Sequence, residues 1–190
     1  MSFNITHSSD RKTIAWAGGT TTELFIFPAE ATFAGRNFSF RLSQATVEIE
    51  ASNFSDFSGI TRTLMVVKGE IKLTHENHHV AQLRPLDVDV FDGGWTTRAV
   101  GKCTDFNLMT RGKTQGSVVG QSLNQGQTIQ IKRANKERLF LYLYSGEVTL
   151  LTDADESKMS DADFTEISAD SFSINSLSAS TLIVVSVAVG

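Results

Sequence analysis

Residues 64–73 read Leu64-Met65-Val66-Val67-Lys68-Gly69-Glu70-Ile71-Lys72-Leu73: an apolar run, a break centred on glycine, and a second apolar stretch. The pattern returns as Leu139-Phe140-Leu141-Tyr142-Leu143-Tyr144-Ser145-Gly146-Glu147-Val148-Thr149-Leu150, with Gly146 lying 77 positions after Gly69. In each copy the glycine between two strand-like runs predicts a hairpin turn. Near the same offset, Phe106-Asn107-Leu108-Met109-Thr110 is matched by Leu182-Ile183-Val184-Val185-Ser186. Two matches at one spacing point to an internal duplication of a β-unit. Elsewhere the apolar period is two or a short continuous run. Phe38-Ser39-Phe40-Arg41-Leu42-Ser43 alternates, Val88-Asp89-Val90 continues the style, and helical spacing is almost absent. Two repeated antiparallel units predict an all-β double-stranded β-helix, or jelly roll.

Composition agrees and narrows the partners. A chain of 190 residues at 41% hydrophobic can bury a sizeable core, and two prolines with fourteen glycines suit many tight turns. The net charge of −4 argues against nucleic acid, which is normally met by a basic patch. The single cysteine, Cys103, can form no internal disulfide and begins an apolar strand, so it reads as structural and suits a reducing cytoplasm. No signal peptide is visible at Met1–His7, and the apolar run 181–189 is too short to span a bilayer and reads as a buried strand. No membrane partner is expected. The acid-rich stretch 153–163 lacks the spacing of a calcium loop and reads as a solvated hairpin loop.

One segment is more polar than a fold requires. Trp16-Ala17-Gly18-Gly19-Thr20-Thr21-Thr22-Glu23-Leu24 sets two glycines, three hydroxyls and a carboxylate ahead of the strand Phe25-Ile26-Phe27. Together with Phe40-Arg41-Leu42-Ser43, Phe57-Ser58-Gly59-Ile60, Arg62 and Asp105-Phe106-Asn107-Leu108-Met109-Thr110-Arg111, it resembles the HutD/Ves family of small cupin proteins. The resemblance covers roughly the first 110 residues well and the remainder weakly. It implies a bicupin, with an N-terminal barrel carrying the pocket over residues 1–112 and a degenerate C-terminal barrel over 113–190. Relatives are linked by name to histidine utilisation and to stress responses, associations of context rather than of a site.

The usual cupin signature supplies two His and a Glu before the hairpin glycine and a further His on a later strand. Counted from Gly69 and Pro85, those slots fall on or near Asp56, Ser58, Arg62 and Val90. An arginine in the carboxylate's position repels a cation and cannot deprotonate to bind one. His75-Glu76-Asn77-His78-His79 has metal-like spacing but reads as an exposed hairpin tip. No metal ligand and no cofactor is expected.

Alternation places a different set on inward faces. Arg41 and Ser43 share a face, Asn107 and Met109 share another, Thr21 and Glu23 a third, and Arg62 opens the strand into Leu64. With Trp16 these eight residues form the expected ligand site. Buried arginines need anionic partners. Glu23 can supply one, and Asp56, Asp105 or a bound anion the other. Two structures satisfy that requirement: a closed ion-pair network, or a pocket for a small carboxylate or polar metabolite recognised by arginine. With no nucleophile beside a His or Lys, no catalytic residue is assigned. The function read from the chain is therefore a metal-free binding protein in an accessory or regulatory role. A metal-independent isomerase or lyase using a Glu/Arg pocket, or a purely structural barrel, stands as the alternative. The oligomeric state is open.

Overall fold

The break at Gly69 is a corner between two sheets, not a hairpin. In the computed structural model, which describes residues 2–134 and 136–190, the chain opens with β1 (Phe3–Thr6), β2 (Thr13–Trp16), β3 (Gly19–Phe27), β4 (Phe40–Val47) and β5 (Ala51–Asn53). It continues through β6 (Ile60–Gly69), β7 (Ile71–His75), β8 (Val80–Leu83), β9 (Val88–Asp92), β10 (Thr97–Val100) and β11 (Cys103–Arg111). Then follow β12 (Gln115–Leu123), β13 (Thr128–Lys132), β14 (Arg138–Ser145), β15 (Val148–Leu151), β16 (Glu156–Met159), β17 (Phe164–Ile167), β18 (Ser171–Ser176) and β19 (Ser180–Ala188). β6 pairs with β9 and β11, whereas β7 pairs with β8 and β10. Gly69 holds φ +83°, and a Cβ there would stand 2.4 Å from the Lys102 carbonyl oxygen. Gly146 (φ +100°) plays the same part between β14 and β15. A glycine signals the left-handed turn in either geometry. Burial of Ile71 and Leu73 opposite Leu64 and Val66, with a core between two sheets, selects the corner.

Residues 12–115 form one compact unit and residues 2–11 with 116–189 the other. In the first, a six-stranded sheet ordered β2-β3-β4-β11-β6-β9 faces a four-stranded sheet ordered β5-β10-β7-β8. In the second, a five-stranded sheet ordered β1-β17-β14-β19-β12 accompanies β13-β18-β15-β16. The order β4-β11-β6-β9 thus recurs as β12-β19-β14-β17, and β5-β10-β7-β8 as β13-β18-β15-β16. The duplicated signal in the sequence is a duplicated topology.

Two local readings change. The opening segment does not stay with the strands that follow it: β1 pairs antiparallel with β17, and Phe3 is buried in the core of the second unit beside Phe172 and Ile174. The stretch 153–163 is not a free loop. Glu156–Met159 is paired with β15, and the buried Asp163 carboxylate accepts from the Ser160 backbone N–H at 2.9 Å and faces His7 Nδ1 at 3.0 Å. The run 181–189 is, as read, largely a buried strand. Among the described residues no helix is long and apolar enough to cross a membrane.

Candidate functional site

Three rungs of the six-stranded sheet build one wall. Antiparallel register aligns Ile26, Arg41, Met109, Arg62 and Phe91 across β3, β4, β11, β6 and β9. The next rung aligns Glu23, Ser43, Asn107 and Leu64, and the third Thr21, Ala45, Asp105 and Val66. Because side chains alternate along a strand, Arg41 and Ser43, then Asp105, Asn107 and Met109, project to one face. On the opposite face Phe40, Leu42, Phe106 and Leu108 are fully buried, with Phe25 and Phe27 each stacked on Phe40 at 5.6 Å. The polar face encloses a cavity of about 630 Å³. All eight residues singled out from the sequence line it: Trp16, Thr21, Glu23, Arg41, Ser43, Arg62, Asn107 and Met109. Trp16 is 43% exposed, so it stands at the rim rather than in the interior.

The glycine-rich segment is the tight connection between β2 and β3. A Cβ at Gly19 would lie 1.8 Å from the Thr46 carbonyl oxygen, so only glycine lets β3 approach β4 there. A register shift between Glu23 and Phe25 then carries Glu23 toward Arg41.

The two arginines differ. Arg41 is buried and donates Nε–H to Glu23 Oε2 at 2.7 Å and Nη1–H to Ser43 Oγ at 2.9 Å, with its guanidinium 4.2 Å from the Phe33 ring centroid. Arg62 rests over Phe54 (4.4 Å), Phe91 (5.3 Å) and Phe57 (5.9 Å). Among the described residues it makes no ion pair, and its Nε is sealed from solvent without a hydrogen-bond partner. Burial pulls its pKa down to about 10, opposed by the charge of Asp105 and reinforced by that of Arg41. Asp105 is buried on the same wall. Burial pushes its carboxyl up to about 6, against the hydrogen bond from Asn107, the charge of Arg62 and the Cys103 thiol. Asn107 donates to Asp105, while its own Oδ1 has no partner. Cys103 is buried, and its thiol is pushed up to about 12 by burial and by Asp105, so it is chemically quiet at neutral pH.

The closed network is therefore only half present: Glu23 closes on Arg41, and neither acid proposed for Arg62 binds it. Asp56 is exposed and instead accepts from the backbone N–H and Oγ of Ser58, both at 2.8 Å, which holds its carboxyl below the usual range. Sequence reasoning missed the aromatic floor of Phe33, Phe54 and Phe57, which comes from irregular segments without period. It also left Asp105 out of the site, although alternation back from Met109 and Asn107 points to it. The slots implied by the cupin signature do not fit a cation. Arg62 occupies the carboxylate's place, Val90 is exposed, and Asp56 lies on the surface.

A family model described as HutD matches residues 8–184. Among solved structures, a conserved protein of unknown function from Pseudomonas aeruginosa PAO1 superposes at TM-score 0.82 with 18% identity, covering 98% of this chain and 99% of that one. HutD from Pseudomonas fluorescens SBW25, solved in a formate condition, superposes at 0.71 with 22% identity over 96% and 97%. The Escherichia coli pirin YhhW in complex with nickel(II) superposes at 0.72 with 10% identity over 97% and 98%. These likenesses establish the cupin fold. No curated protein sequence matches the chain.

Proposed function

The chain belongs to the HutD family, and from that premise we propose that its 12–115 unit binds a small carboxylate or similar compact polar anion. The observation that carries this reading is Arg62, a guanidinium with no acceptor among the described residues, on the wall of a 630 Å³ cavity. Its terminal nitrogens suit the two oxygens of a carboxylate, and recognition of this kind is strong because it is charge-assisted and bidentate. Arg41, fixed by Glu23 and Ser43, supplies a second positive potential without reorganising. Phe33, Phe54 and Phe57 keep the site partly dry, which strengthens each polar contact.

The repeated strand order supports reading the chain as a bicupin whose second unit is degenerate. An accessory or regulatory role in the cytoplasm, without a metal in the pocket, fits a binding site in which, among the described residues, no hydroxyl is paired with a histidine. Titration of the full-length protein with formate, acetate and larger carboxylates, followed by calorimetry and thermal unfolding, tests the proposal. Saturable binding should raise stability by roughly 2.7 kcal/mol at a hundredfold excess over Kd. It should vanish in Arg62→Met. Failure of every carboxylate to bind overturns the proposal.

One observation favours catalysis as a second reading. Asp105 is a buried carboxyl raised to about 6 in the same cavity, the range in which a carboxyl can exchange protons at neutral pH. Glu23 is less suited to be the base, because its carboxylate is already engaged by Arg41 at 2.7 Å.

A further inference from the structure

The histidine cluster is not the exposed turn that its sequence suggests. β7 carries Ile71, Leu73 and His75 to the buried side, so His75 is 2% exposed, and β9 brings Asp89 opposite the turn that follows. His75 Nε2 lies 2.8 Å from Asp89 Oδ2, and His79 Nε2 lies 2.9 Å from Asp89 Oδ1. The three ligating groups sit within 4.8 Å of one another. We propose that His75, His79 and Asp89 bind a divalent transition-metal cation of the zinc class, with ligands that occupy none of the cupin signature slots, Asp89 being the neighbour of Val90 on β9.

Three features support a site rather than a chance contact. The donor set is two imidazoles and one carboxylate, the combination that suits zinc and its neighbours. Both rings present Nε2 to the same carboxylate, each to a different oxygen. Ligand atoms around tetrahedral zinc, with bonds of about 2.0–2.1 Å, stand roughly 3.3 Å apart, so each His–Asp contact needs to open by only about 0.5 Å.

The surroundings are those of a supported ligand. His75 Nδ1 lies 2.7 Å from Thr97 Oγ1, which lies 3.2 Å from the Trp95 carbonyl oxygen. With its own proton given to that carbonyl, Thr97 accepts from Nδ1–H and fixes the tautomer whose Nε2 lone pair is free. That lone pair then faces a carboxylate oxygen at 2.8 Å, an arrangement that a cation between them resolves. With the Thr97 O–H turned to donate to Nδ1 instead, Nε2–H donates to Asp89, so the hydroxyl serves the protein in both states. Phe91 at 4.4 Å and Trp95 at 5.7 Å hold the His75 ring from its sides. His79 is 41% exposed along its side chain, which leaves a solvent-facing position for a water ligand and a route for the ion.

His78 is excluded from the ligand set. It stacks on Trp95 at 3.7 Å and is no member of the cluster. It therefore serves as an internal control.

The test uses the full chain without a histidine tag, stripped with a chelator and titrated with Zn²⁺ against a chromophoric competitor. One zinc per chain is expected, with affinity at least tenfold weaker in His79→Ala and in Asp89→Asn, and unchanged in His78→Ala. Ni²⁺ should quench Trp95 fluorescence in a Trp16→Phe background, and the quenching should be lost in His79→Ala. Both altered residues retain solvent contact, and thermal unfolding of each variant confirms its fold. Absence of zinc binding in the wild type at millimolar concentration overturns the site. Binding that survives both ligand substitutions, or that is lost with His78, does so as well.

Discussion

Arg62 and Asp105 share one wall of the cavity without forming an ion pair, although Arg41, on the same rung as Arg62 across Met109, is held by Glu23 at 2.7 Å. The charge of each still opposes the effect of burial on the other. The result is a cation with aromatic neighbours but no ion-pair partner among the described residues, and an acid raised to about 6, both lining space that a small molecule can fill.

Arg62→Met should abolish carboxylate binding and leave the fold nearly as stable as before. Breaking a closed buried pair costs about 3–5 kcal/mol, but Arg62 strands no bonded partner when it is removed. Chemical denaturation should therefore show a loss below roughly 1.5 kcal/mol, within the ordinary range for single substitutions. A loss in the closed-pair range with no ligand for the wild type would instead identify a structural network.

Glu23→Gln should tighten anion binding while costing stability on the order of 1 kcal/mol. Glu23 is 40% exposed along its side chain, so the Arg41 pair is screened and only part of a buried pair's strength is lost. Freed from its carboxylate, Arg41 becomes a second hydrogen-bond donor to the ligand anion. Isothermal titration with the best carboxylate reads the change, and weaker binding would show that Glu23 itself contacts the ligand.

Asp105 should make stability fall as pH rises through about 6. Its folded pKa lies above the ordinary 3.8, so the native state binds the extra proton between those values. The associated stabilisation is complete below about pH 3.8 and is lost through pH 6. Asp105→Asn should flatten this segment of the stability profile and gain relative to wild type at pH 7–8. The gain is on the order of 3 kcal/mol, a figure in which the attraction to Arg62 is already contained. Carboxylate affinity should also be higher at pH 5 than at pH 7.5, and the variant should lose that dependence.

The duplicated frame supplies the next substitution. Register equates Arg62, Asp105 and Asn107 with Leu139, Leu182 and Val184, which sit in or against the core of the second unit. Combining Arg62→Leu, Asp105→Leu and Asn107→Val should remove all carboxylate binding. It should raise stability by about 1–4 kcal/mol, as apolar replacement of buried ions often does. A destabilised triple variant would show that the polar wall supports the fold.

Alternation made the site legible: Arg41 with Ser43, and Asn107 with Met109, lie where a period of two puts them. The repeat around Gly69 and Gly146 identified the strand frame, but turn chemistry is local and does not say which sheet the next strand joins. That choice belongs to the core. His75 was readable by the same rule, since Ile71, Leu73 and His75 share parity, but its polarity and its neighbours suggested solvent. The aromatic floor had no such signal, because Phe33, Phe54 and Phe57 lie in segments whose path is set by contacts distant in sequence.

The pairing of Phe3–Thr6 with Phe164–Ile167 sets an order of events during synthesis. The ribosome makes β1 before the pocket unit and β17 well after it, so residues 12–115 can close while β1 still has nothing to pair with. Until then an apolar segment must remain outside a finished barrel without sticking to other chains. Once β17 emerges, β1 covers what would otherwise be a bare sheet edge. A chain lacking residues 1–7 should thus keep its pocket and aggregate through its other half, so the opening residues act as a guard against self-association.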